Sequence, residues 1–84
     1  SINKDNIPEL QRILSRIEEI MKSLNSDDYK EISEELKTEI EKDSPSRNII
    51  KRGLQAINGI ASGIVSGVIA NQVSPLVTSA IALL

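Results

Sequence analysis

The chain has no cysteine, histidine, tryptophan or phenylalanine, and Tyr29 is its single aromatic side chain. Without cysteine there is no disulfide to staple the fold and no thiolate to serve as nucleophile or metal ligand. Without histidine the side chain that normally titrates near neutral pH is gone, and with it the usual general base. The expectation is therefore a protein that is not an enzyme and carries no cofactor or metal. Asp27, Asp28 and Glu31 form the one acidic cluster near a turn, but they lack the spacing and glycine of a calcium loop, and helix capping accounts for them better. Ten basic residues face twelve acidic ones, for a net charge of −2. That balance offers no basic face for phosphates and the near-absence of rings offers no stacking platform, so nucleic acid is not expected as a partner.

Charge is also missing from one half of the chain. Every Lys, Arg, Asp and Glu precedes Gly53, and the run from Gly53 to Leu84 has none. Each Ile, Leu or Val in that run gives up roughly 1.5–3 kcal/mol if left in water. The segment must be covered by a core, a partner or lipid. The lack of cysteine and of a signal-peptide pattern points to the cytoplasm. The opening on Ser1 and the abrupt end on Leu83 and Leu84 suggest a fragment of a longer protein.

Periodicity predicts an all-α fold: a small antiparallel bundle of three long helices plus a short C-terminal helix, completed by oligomerisation. In the first helix, about 7–24, Leu10, Ile13, Leu14, Ile17, Ile20, Met21 and Leu24 recur at steps of three and four. Asp5 or Asn6 is placed to cap it ahead of Pro8. A second helix, about 27–42, starts at Ser26 or Asp27 and carries a thinner stripe of Tyr29, Ile32, Leu36 and Ile40. Glu31, Glu35 and Glu39 stack at i,i+4 beside that stripe, either as a solvated acidic face or facing a cation.

A third helix, about 46–73, opens after Ser44 or Ser46 with Arg47, Lys51 and Arg52. Cations there oppose the helix dipole, and Glu39, Glu41 and Asp43 just upstream are the natural compensation. A basic collar at a membrane surface is the competing reading. Ile50, Leu54, Ile57, Ala61, Ile64 and Val68 make its packing seam. Gly59, Gly63 and Gly67, with Ala70, form a small-residue face beside it. Interior glycines cost about 0.8–1 kcal/mol each relative to Ala, so such a helix needs a close neighbour along that face. Ser74-Pro75 then starts the last helix, about 75–84. A β reading of the Ile/Val/Gly stretch lacks the period-two alternation that it requires.

Glu34, Glu35 and Leu36, followed by Pro45, Ile50, Lys51, Leu54 and Gly63, give an acidic helix, a proline turn, an I-K-x-x-L segment and a Gly-rich helix. The stretch from Ile32 to Gly67 resembles the C-terminal helical tail of short bacterial or prophage proteins of uncharacterised function. The resemblance covers under half of the chain and implies an accessory module with no catalytic residue to carry over. The functional expectation is a self-association or protein-interaction module. Its helix–helix or oligomer interface would comprise Leu54, Ile57, Gly59, Gly63, Ile64, Gly67, Val68 and Ala70, with the glycine face at a tight helix crossing and the seam through Leu54, Ile57, Ile64 and Val68 as core; a homodimer is the default and a different protein a further partner. The alternative is a membrane-associating anchor or pore-forming segment using 53–84, since about 20 apolar residues span a bilayer. Asn58, Ser62, Ser66, Asn71, Gln72 and Pro75 interrupt that run and count against it.

Overall fold

The apolar stripes close into four α-helices in the computed structural model, which describes residues 2–84: α1 Ile7–Met21, α2 Asp27–Ile40, α3 Arg47–Ser62 and α4 Val68–Ala82. Short 3-10 turns at Lys4–Asn6 and Lys22–Leu24 flank α1. No strand occurs among the described residues. The all-helical bundle is the one that the periodicity predicts. The partition of its C-terminal half differs, giving four helices of similar length in place of three long and one short.

Neighbours in sequence are neighbours in space, and α4 returns to lie against α1, which closes the ring. Contacts across the bundle show the alternation of direction. The Glu18 carboxylate of α1 accepts from Lys37 Nζ of α2 at 2.9 Å, Leu36 of α2 abuts Gly53 of α3, and Asn6 Nδ2 donates to the Leu83 carbonyl at 3.2 Å. The last contact corrects the capping expectation. Asn6 stands at the N-cap of α1, but its side chain makes no cap bond there; it serves instead a carbonyl past the end of α4 that has no helical donor. Ser26 and Ser46 do cap as the sequence suggests, accepting from Tyr29 N–H and Ile49 N–H. Asn25 takes the left-handed conformation after α1, at φ 50°, a region that Asn tolerates better than most side chains.

Leu10, Ile17 and Met21 of α1, Ile50, Leu54 and Ile57 of α3, and Val73 of α4 are fully buried, with Tyr29, Leu36 and Ile40 of α2 completing the core. Aliphatic side chains from four helices thus do the work that rings do elsewhere. The radius of gyration, 12.1 Å, matches the roughly 12 Å expected for a chain of this length. Tyr29 is buried, and burial raises its phenol pKa above the ordinary 10.0, more than the Ser33 hydrogen bond lowers it.

The third helix does not run to 73. It stops at Ser62, and Gly63–Gly67 form a five-residue connection to α4. Gly63 N–H donates back to the Gly59 and Ile60 carbonyls, closing α3. Gly67 has φ +72°, which turns the chain into α4. Glycine reaches that conformation without the roughly 1–2 kcal/mol cost of a Cβ. Pro75, expected to start a helix, lies inside α4 and is exposed. An interior proline costs about 3 kcal/mol; the helix persists because Val73, Val77 and Ala80 are buried on its inner side.

Candidate functional site

Among the described residues no group of three acidic, His or Cys side chains is arranged to hold a metal. The clefts are shallow seams between helices. One of about 170 Å³ lies between α1 and α2, lined by Leu14, Glu18, Lys37 and Ile40. It reflects the looser contact of α1 with α2 than with α4, and the Lys37–Glu18 ion pair bridges it. Another, about 580 Å³, lies at the end holding Ile2, Ile7, Pro8 and the α2–α3 connection.

At that connection the acidic row splits in role. Glu39 turns inward, its side chain 6% exposed, and accepts from Lys42 Nζ and from Ser46 N–H, both at 2.9 Å. The Ser46 hydrogen bond chiefly, then that of Lys42, holds the Glu39 carboxyl below its ordinary pKa of 4.5. Of the three upstream acids, Glu39 thus puts its charge beside the N-terminus of α3, where the dipole favours an anion. The task of Glu39 is to fix the turn.

The residues expected at a helix–helix or oligomer interface separate into two groups. Leu54 and Ile57 are 0% and 1% exposed and belong to the core of the chain itself. Gly59 is exposed within α3, and a Cβ there would meet no heavy atom within 4 Å. Gly63, Ile64, Gly67 and Val68 come together at the α3–α4 end, with Ala70 in the first turn of α4. Val68 is 55% exposed, Gly63 is exposed, and Ile64, Gly67 and Ala70 are half-buried. The expected glycine-floored groove along one helix is not formed within the chain, because two of its three glycines are in the connection. The glycine that does permit close helix approach is Gly53. A Cβ there would lie 2.5 Å from Leu36 Cδ2 and 2.9 Å from its Cγ.

Two exposed apolar side chains were not anticipated. Val65 projects fully into solvent from the α3–α4 connection, and Ile49 on α3 is 46% exposed. The signal for Val65 was its place between two glycines four residues apart, a spacing that suits a loop as well as a helical groove. Asn58 holds a buried Oδ1 with no hydrogen-bond partner, an unmet acceptor on the flank of α3 that a quarter-turn separates from Ile57.

No helix among the described residues is long and apolar enough to cross a membrane. The charge-free run is instead divided between α3 and α4, whose inner sides are core. No family model, curated protein or solved structure matches the chain.

Proposed function

We propose that this chain is a non-enzymatic, cytoplasmic self-association module whose contact surface is the charge-free α3–α4 end. The observation that carries the reading is Val65, fully exposed beside the 55%-exposed Val68 at the end of a bundle whose other large aliphatic side chains are mostly covered. Covering a valine gains roughly 1.5–3 kcal/mol, so several such side chains meeting across copies supply a driving force that a lone bundle forgoes. The sign-free surface also lets like surfaces meet without charge repulsion. The resemblance of Ile32–Gly67 to a bacterial helical tail agrees with such an accessory role.

The test is the mass of the purified chain by light scattering over a concentration series without detergent, beside a Val65→Ser variant. A concentration-dependent oligomer that Val65→Ser weakens supports the reading; a wild-type monomer at every concentration overturns it. The same uncharged connection favours a second reading, peripheral attachment to a membrane surface with Val65 and Val68 in the headgroup region. Co-sedimentation with neutral phosphatidylcholine vesicles, lost in Val65→Ser, would identify that case.

A further inference from the structure

The paired helices α2 and α3 differ in the sign of their charge. On α2 the acids are Asp27, Asp28, Glu31, Glu34, Glu35 and Glu39 against Lys30 and Lys37; α3 has only the cations Arg47, Lys51 and Arg52. Both α2 cations are engaged elsewhere, Lys30 with Asn25 and Lys37 with Glu18 of α1. Between α2 and α3 runs a cleft of about 270 Å³ with Ile32, Gly53 and Ala56 at its floor and sides, Glu35 on the α2 wall and Arg52 on the α3 wall. Ile49, 46% exposed, stands at one end of it. Neither Glu35 nor Arg52 has an ion-pair partner among the described residues.

From this arrangement we infer that the α2–α3 face is a twofold docking surface for a second copy of this chain, with the axis parallel to the helices. That axis lays α2 of each copy over α3 of the other. Glu35 and Arg52 line the same cleft on antiparallel helices, so each Glu35 comes to the level of Arg52 of the second copy, twice per dimer. A twofold axis across the helices would instead set α2 on α2, acid against acid, and like charges suppress that mode. The bundle is 37 Å long and 22 Å wide, so one face offers on the order of the 800 Å² per partner that a specific interface uses. The small exposed side chain of Ala56 lets the second copy approach, and Ile49 supplies the apolar contact.

This inference rests on the reading that the chain self-associates, and it changes the geometry of that reading. An axis parallel to the helices keeps both α3–α4 ends at the same end of the dimer. Val65 and Val68 of each copy are then displayed from the same end of the dimer, on opposite sides of the axis, toward further copies.

Charge exchange tests the inference on the intact chain, with helicity by circular dichroism as the check on folding, since both side chains are on the surface. Sedimentation equilibrium on Glu35→Arg and on Arg52→Glu alone should show dimer dissociation constants raised by roughly 10- to 30-fold, each variant setting like charges together at two symmetric places. The double variant should recover to within about threefold of wild type. Mixing the two single variants should restore association as a one-to-one heterodimer, because every crossed pair is then Arg against Glu. Single variants that dimerise like wild type, or a double variant and a mixture that stay dissociated, overturn the inference. If Val65→Ser alone abolishes association and the charge variants change nothing, the twofold face is wrong and the proposed function stands. A wild type that stays monomeric overturns both.

Discussion

Gly53 and Gly59 lie on the same helix and differ chiefly in what surrounds them, which makes their alanine variants a sharp test of the packing. Gly59 is exposed and a Cβ there enters open space. Alanine should therefore return most of the about 0.8–1 kcal/mol that an interior glycine costs, reduced somewhat because Gly59 belongs to the last turn of α3. A gain of roughly 0.5–1 kcal/mol raises the midpoint of a domain this small by about 3–7 °C. Gly53→Ala recovers the same helical term but drives a Cβ to 2.5 Å from Leu36 Cδ2 and 2.9 Å from Cγ, in a side chain that is 2% exposed. Overpacking of this kind costs typically 1–3 kcal/mol. The net should be a loss of up to about 2 kcal/mol. Urea denaturation followed at 222 nm measures both, and Leu36→Ala provides the control. In that background the clash is gone and Gly53→Ala should become stabilising. Repeating the series at several protein concentrations separates intrinsic stability from any contact between copies over Gly59. A Gly53→Ala protein as stable as Gly59→Ala, with no coupling to Leu36, would refute the close approach of α2 and α3.

Pro75→Ala should stabilise the chain by roughly 1–2 kcal/mol, since it removes an interior proline penalty of about 3 kcal/mol, partly offset by the freedom returned to the unfolded chain; a lower thermal midpoint would contradict a continuous α4. Gly67→Ala should destabilise by about 1–2 kcal/mol, with Asn milder than Ala, because φ is +72° there. The Glu39 carboxyl is held below its ordinary 4.5, so its contribution is present above that pH and is lost as pH falls through the lowered folded value. Glu39→Gln should accordingly flatten the acid limb of stability against pH below about 4.5 in urea titrations, and an unchanged limb would remove Glu39 from the turn. Tyr29 is the single phenol, and its absorbance titration should have a midpoint above 10.0. As a raised group, Tyr29 supports the fold below its unfolded pKa and loses that support as pH rises through the folded value.

The fold was readable where two signals agreed and misleading where one signal had two physical causes. Leu10, Ile13, Ile17 and Met21 fall at helical spacing and are buried, as are Ile50, Leu54, Ile57 and Ala61. Ser26 and Ser46, each just before an apolar stripe, are caps. The glycines were ambiguous because a four-residue repeat is both the pitch of a helical groove and the length of a tight connection between antiparallel helices. Only the left-handed φ of Gly67 separates the two, and no local pattern announces it. With one long helix assumed, Pro75 had to begin another; once Gly63–Gly67 is the turn, α4 is long enough for burial of Val73 and Val77 to carry a proline on its outer side. The candidate surface narrows for the same reason. Leu54 and Ile57 pack inside the chain, whereas Ile64 and Val68 leave the seam because α3 ends at Ser62. The apolar surface that the four helices leave uncovered is the connection holding Val65, the adjoining Val68 and the outer wall holding Ile49.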